Sequence, residues 1–261
     1  MDLSSADPNK ELPLNIEPQI QEQLLGVQHK DTEIAQLTHK RNSLPEIAQK
    51  SDLEARLAKT RDKHTASVVI LSDLQRDQAR SDADVEVVRQ RIIKDQDMLD
   101  SGSINDPKQL SSLQHELESL ARRRTELEDV ELEIMERVEG AEAAVKVLAG
   151  QAETLAGELE QVSAKLEELQ ATLNTDLAET ERERAALAGA LPAELMALYE
   201  KIRASHSGVG AALLHRGQCE GCRLTIPPQE MQAIKAAPAD LVVQCEECRR
   251  ILVRTAESGL G

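Results

Sequence analysis

Apolar residues recur every three or four positions through most of the chain. From Leu110 to Leu173, alternate steps of three and four fall on an apolar side chain everywhere except at Arg124 and Glu131. A seven-residue repeat kept over this distance is typical of a left-handed coiled coil. We therefore predict a long helix over residues 107–189 that packs along a partner helix.

A weaker repeat precedes this one. The stretch from Leu53 to Leu99 keeps the same spacing with polar residues on several positions, and an earlier stretch runs from Ile20 to Leu44. Pro45 separates the two stretches, and a proline inside a helix removes a hydrogen bond and kinks or breaks the helix. We expect a first helical arm over residues 17–100 with a bend near residue 45.

Turn residues separate the two arms. Gly102 suits the left-handed conformation that ends a helix. Asp106 suits the N-cap of the next helix, and Pro107 suits its first position. A helix end followed at once by a helix start predicts an antiparallel hairpin with its tip at about residues 101–107, which returns the N-terminal arm to the C-terminal segment.

A simple count from the tip predicts which residues face each other. At equal rise per residue, the numbers of facing residues add up to about 207. This places Glu131 beside Arg76, which would pair two opposite charges. It also places Asp31 opposite Asp176, which would loosen the arms there; the alternative is that both carboxylates face water.

The segment after residue 190 has a different pattern. A short helix is predicted over residues 193–205, and a second over residues 228–237. Short apolar runs at residues 211–214, 224–226, 241–243 and 251–253 are candidate strands. A segment this small rarely folds without a disulfide or a metal ion.

Four cysteines supply the candidate metal site. They form two CxxC pairs and are the only cysteines in the chain: Cys219, Cys222, Cys245 and Cys248. Four thiolates from two such turns fit one tetrahedral Zn²⁺, and a site closed by four sulfurs leaves no position for a catalytic water. Neither pair lies in the βαβ context of a thioredoxin-like redox motif. We predict one structural zinc in a zinc ribbon, with iron left open by the sequence alone.

Composition and charge bear on compartment and partners. The chain has no Phe or Trp, one tyrosine (Tyr199) and a net charge of −16. An acidic chain is repelled by nucleic acids and by anionic membranes. The N-terminus has no apolar signal region, and no apolar stretch is long enough to span a membrane. We expect a cytoplasmic protein without membrane contact, in a compartment that keeps thiols reduced.

Three segments resemble a known family, the bacterial coiled-coil proteins with a C-terminal C4-type zinc ribbon. They are residues 195–203, the two CxxC turns with residues 249–252, and the hairpin turn at residues 105–110. The family often has Gly where Arg249 stands and an aromatic residue where Val253 stands. The resemblance implies an elongated hairpin with a ribbon at its base and no enzymatic activity. Family members are described as nucleic-acid-binding proteins, and some as adaptors for protein partners.

These observations define a mainly α protein, in which a long antiparallel coiled-coil helical hairpin is followed by a small β-rich zinc ribbon. The expected domains are a flexible N-terminal tail (1–16), the hairpin (17–190), a connecting helix (191–206), the C4 zinc ribbon (207–255) and a C-terminal tail (256–261).

The predicted function is that of a non-enzymatic adaptor or scaffold, which docks protein partners through the hairpin faces and the ribbon. The candidate contact residues are Arg223, Arg249, Arg250 and Arg254. The alternative is a nucleic-acid-binding regulatory protein that uses the same arginines, although single-strand binders generally add aromatic stacking platforms. The heptads fit either a monomer or a homodimer.

Overall fold

The computed structural model describes residues 14–260. The helices are α1 (Pro18–Asn42), α2 (Pro45–Asp100), α3 (Pro107–Gly189), α4 (Ala193–Ser205) and α5 (Pro228–Ala236). The strands are β1 (Ala211–His215), β2 (Gln218–Cys219), β3 (Val243–Gln244) and β4 (Ile251–Val253), followed by a 3₁₀ turn at Ala256–Ser258. The predicted mainly α fold with a small C-terminal β region is confirmed. Within residues 14–260, no helix has the length and apolarity needed to cross a bilayer.

Both predicted breaks in the helices are present. Between α1 and α2, the Ser43 hydroxyl donates to the His39 carbonyl (2.7 Å), and Pro45 begins α2. At the tip, Gly102 has φ +65°. The backbone N–H of Lys108 donates to Oδ1 of Asp106 (3.0 Å), so Asp106 caps α3 as predicted. The capped turn reverses the chain between α2 and α3.

The described chain divides into two compact units. The first, here called the hairpin unit, comprises residues 46–164 and contains the tip. Its helices pack through a narrow apolar seam, in which Leu53 and Leu57 contact Leu155. The second, here called the ribbon unit, comprises residues 14–45 and 165–260.

The register of the two arms differs from the simple count. Near the tip, Arg91 and Glu116 pair as the count requires, with 3.0 Å between Nη2 and Oε1. Further from the tip, Glu131 contacts Asp82 and not Arg76, and burial together with this contact raises the pKa of Glu131. In the ribbon unit, Asp31 is bound by Arg184 and does not face Asp176.

The lean of helical side chains accounts for part of this shift. Each side chain tilts toward the N-terminus of its own helix. In an antiparallel hairpin, side chains of the first arm therefore lean away from the tip and those of α3 lean toward it. Because each side chain covers a spot about one position N-terminal to its own, the facing residue on α3 lies about two positions further along than equal counting predicts.

The core of the ribbon unit forms where one face of α1 packs against the sheet and α4. Leu24 and Val27 are fully buried beside Leu195, Tyr199 and Ile251. The sheet order is β2-β1-β4-β3, with β1 parallel to β4 and the other neighbours antiparallel. This small sheet carries the cysteines.

Both predicted tails include ordered, paired residues. The N–H of Val242 donates to the Leu14 carbonyl (2.8 Å), and the N–H of Ile16 donates to the Asp240 carbonyl (2.6 Å). At the other end, Ser258 is fully buried and its carbonyl accepts from the N–H of Gly217 (3.2 Å). Residues 14–16 and 256–258 therefore belong to the ribbon unit, and the rest of the predicted N-terminal tail lies outside the described residues.

Candidate metal centre

The two CxxC pairs form turns with the same backbone pattern. In the first turn, the N–H of Arg223 donates to the Cys219 carbonyl (2.7 Å), and the N–H of Cys219 donates to the Leu224 carbonyl (3.0 Å). In the second, the N–H of Arg249 donates to the Cys245 carbonyl (2.8 Å), and the N–H of Cys245 donates to the Arg250 carbonyl (3.0 Å). Each turn thus directs both of its sulfurs to the same side.

A left-handed residue closes each turn. Arg223 and Arg249 both have φ +59°. This conformation favours glycine, and a side chain there costs about 1 kcal/mol. The geometry explains why a glycine suits position 249 and shows that arginine is accommodated without loss of the turn.

The four sulfurs converge on one point. All four Sγ atoms lie within 4.8 Å of one another. The Cys219–Cys248 and Cys222–Cys245 sulfurs are 3.8 and 3.9 Å apart. A tetrahedron with Zn–S bonds of about 2.3 Å has sulfur separations of about 3.8 Å. The predicted ligands therefore fit one structural zinc ion.

The surroundings of the thiols favour a bound cation. Burial raises the pKa of Cys219, and it raises the pKa of Cys245 to about 11. Burial also acts to raise the pKa of Cys248, but hydrogen bonds from the backbone and side chain of Arg250 lower it overall. A divalent cation offsets the cost of burying thiolates, so metal binding and folding of the ribbon are coupled.

The four predicted contact arginines divide into two pairs. The Arg254 guanidinium donates to five backbone carbonyls around the end of α5, including Leu241 (2.6 Å). Arg250 donates from Nε to the Val209 carbonyl (3.1 Å). These two arginines join segments of the ribbon, whereas Arg223 and Arg249 are exposed beside the metal ligands.

A buried polar cluster beside the ribbon was not predicted. Asp31 on α1 accepts hydrogen bonds from Arg184 (3.2 Å), from Arg203 (3.2 Å) and from the Tyr199 hydroxyl (2.6 Å). The Asp31 side chain is only 4% exposed. Glu200 pairs with both arginines. Burial acts to raise the pKa of Glu200, but the two arginines lower it overall.

Two buried glutamines attach α1 to the ribbon. Oε1 of Gln28 accepts from the N–H groups of Gly210 (2.7 Å) and Ala211 (3.3 Å), and its Nε2 donates to the Gly208 carbonyl (3.1 Å). Nε2 of Gln21 donates to the Asp240 carbonyl (3.1 Å). A Cβ at Gly210 would lie 2.7 Å from the ring of Tyr199. The backbone can therefore come this close to Tyr199 only with a glycine at position 210.

A sequence signal for this attachment exists. Gln21, Gln28 and Asp31 lie on the same helical face as Leu24 and Val27. Polar residues that interrupt an apolar face at heptad spacing indicate a contact richer in hydrogen bonds than a simple seam.

Comparison with known proteins agrees with this architecture. The CT398-like coiled coil hairpin domain model matches residues 27–207, and the C4-type zinc ribbon domain model matches residues 218–252. The uncharacterized protein Rv2229c of Mycobacterium tuberculosis is 34% identical over 234 residues, which cover 90% of this chain and 95% of that protein. The uncharacterized protein ML1638 of Mycobacterium leprae is 28% identical over 224 residues, covering 83% of this chain and 93% of that protein.

Solved structures show the same fold. A protein from Mycobacterium smegmatis superposes with a TM-score of 0.80 and 32% identity, covering 93% of this chain and all of that one. CT398 from Chlamydia trachomatis has a TM-score of 0.67 and 17% identity, covering 91% and 98%, and this similarity concerns the fold alone. The chain therefore belongs to the family of CT398-like coiled-coil hairpin proteins, and it ends in a C4-type zinc ribbon built for one structural zinc ion.

Proposed function

We propose that this chain is a non-enzymatic adaptor that docks protein partners on its hairpin, with the zinc ribbon as a second contact surface. The observation that carries the proposal is a row of exposed apolar side chains beside the seam of the hairpin unit. Ile93, Leu132 and Met135 are 47%, 58% and 38% exposed. In a hairpin that uses only its own seam, these flanking positions are generally charged.

These three residues lie on one side of the seam. Each directly follows a residue of the seven-residue apolar repeat along its helix. In two antiparallel helices, the positions that directly follow the repeat flank the seam on the same side. We call Ile93, Leu132 and Met135 the docking face. An amphipathic helix or an apolar loop of a partner would cover it.

The arginines give weak support to the nucleic-acid alternative. Arg250 and Arg254 are bonded to backbone carbonyls, which leaves Arg223 and Arg249 as the exposed cations beside the metal centre. The only aromatic side chain, Tyr199, is fully buried and offers no stacking platform.

Thiolate ligands require reduced cysteines, so we place the adaptor in the cytoplasm.

The test is affinity capture from native cells with the full chain as bait, with and without nuclease treatment. We expect defined proteins to be retained after nuclease treatment and to be lost with the variant L132E/M135E. The control variant E133Q/E136Q changes neighbouring exposed positions on α3 and is expected to retain them. Recovery of RNA or DNA alone, or of proteins that all disappear on nuclease treatment, would overturn the proposal.

A further inference from the structure

An open groove runs between α2 and α3 on the other side of the seam. It has a volume of about 720 Å³. On the α2 side it is lined by Arg56, Lys59 and Lys63, and on the α3 side by residues that include Val147 and Gly150. At Gly150 no atom of residues 14–260 lies within 4 Å of the position a Cβ would take, so among these residues the groove is open.

An apolar ridge lies next to this groove. Val69 and Ile70 are each 56% exposed, and Val147 is 57% exposed. Beyond the ridge, Asp73 and Asp77 have exposed side chains. The same face of the hairpin unit therefore carries cations, then apolar side chains, then anions.

This order is self-complementary. Along α2 the face reads Lys59, Lys63, Ala66, Ile70, Asp73, Asp77. The cations and anions lie at equal distances on either side of position 68. A two-fold axis at that position, perpendicular to α2, sets Lys63 against Asp73 and Lys59 against Asp77 of a second copy. It also sets Ile70 of one copy against Ala66 of the other, beside the groove.

We propose that the hairpin unit forms an antiparallel homodimer through this face, with Ile70 of each copy packed against Ala66 of the other, beside the groove. A two-fold interface joins the same patch on both copies, so a patch whose halves complement each other is what such an interface requires. The face lies opposite the docking face, and the inference does not depend on the proposed function.

Two pairs in this arrangement are unfavourable: Arg56 meets Arg80 of the second copy, and Asp52 meets Asp84. Each arginine keeps a carboxylate on its own helix, because Arg56 lies 3.4 Å from Asp52 and Arg80 lies 3.7 Å from Asp77. Both unfavourable pairs lie at the outer ends of the face, whereas the favourable pairs flank the apolar contact at the axis, so we expect the favourable pairs to decide the alignment.

Sedimentation velocity on the zinc-loaded full chain tests the proposal with a charge swap. We expect the wild-type chain to be a dimer. In K59D/K63D and in D73K/D77K, four contacts become repulsive at once. We therefore expect the dissociation constant of the dimer to rise tenfold or more in each variant, which corresponds to about 1.4 kcal/mol. An equimolar mixture of the two variants restores every pair with opposite charges and should dimerise again. Circular dichroism and zinc content verify that each variant is folded.

Three outcomes would overturn the proposal. The first is a wild-type chain that stays monomeric up to a protein concentration of about 100 µM. At that concentration a dimer with a dissociation constant of about 100 µM would be detected. The second is a dimer that both variants leave unchanged. The third is a pair of monomeric variants whose mixture fails to dimerise, since the antiparallel pairing requires that rescue.

Discussion

At the scale of single residues, Asp31 joins three helices of the ribbon unit through hydrogen bonds. It is a buried carboxylate with two guanidinium partners and a phenol, and these partners come from α3 and α4. A buried, fully partnered carboxylate contributes little compared with apolar packing, but removal of one partner leaves buried charges without compensation.

Replacement of Asp31 tests this role. We expect D31N to lower the free energy of unfolding of the ribbon unit by about 3 kcal/mol, because Arg184 and Arg203 lose the more deeply buried of the two carboxylates that they share. The matched control is E33Q on the same helix, which removes the exposed partner of Lys30 and should cost less than about 1 kcal/mol. Chemical denaturation of both variants gives the comparison, and equal losses would contradict the assigned role.

The sequence predicted the four metal ligands but not the Asp31 cluster. The CxxC spacing is local, so residues three apart already specify the turn that brings their sulfurs together. Arg184 and Arg203 lie more than 150 residues from Asp31, and which side chains meet depends on the exact register of the arms. The equal count assigned Asp176 to that place because it assumed one register over the full length of the arms, whereas the register changes between Arg91–Glu116 and Asp31–Arg184.

At the scale of elements, the hairpin seam contains a like-charge contact. Glu131 lies against Asp82, and its pKa is raised by burial first and by this neighbour second. A carboxyl group with a higher pKa in the folded state than in the unfolded state destabilises the fold while it is ionised. That cost falls as the pH decreases through the raised pKa and the group takes up a proton.

A single neutral replacement measures this cost. We expect E131Q to stabilise the hairpin unit by about 0.5 kcal/mol at pH 7, since the contact is partly exposed and screened. The gain should shrink toward pH 4, as Glu131 of the wild-type chain takes up a proton. Thermal unfolding followed by circular dichroism at both pH values tests the sign. A gain that is independent of pH would show that the charge is not its cause.

The elements themselves were predicted more fully than their contacts. Pro45, Gly102 and Asp106 act through local backbone geometry, so the helix breaks and the tip follow from the sequence. The pairing of residues 14–16 with the ribbon does not, because a short segment without a repeat gives no signal for a distant strand partner.

At the scale of the whole molecule, the described chain has two units with separate cores, and only the ribbon unit contains the metal site. We expect a strong chelator to remove one zinc per chain and to unfold the ribbon while most of the helical signal of the hairpin unit persists. C222S should have the same effect. The control variant H215A, in strand β1 of the sheet but not among the four clustered ligand residues, should keep its zinc.

Elemental analysis and two-dimensional NMR follow this response. Loss of dispersed ribbon resonances on metal removal is the expected result. A ribbon that keeps its dispersed resonances without metal would show that the small apolar core is sufficient and that the zinc is dispensable for folding.

The glutamine bonds between α1 and the ribbon have a consequence for synthesis of the protein. Gln28 and its partner Gly208 are 180 residues apart, and the apolar face that includes Leu24 is not fully covered until both α4 and the sheet exist. During translation the first helix therefore leaves the ribosome long before its binding site is made. Stalled or truncated nascent chains should expose that face to chaperones, and full burial should begin only after the last cysteine has emerged.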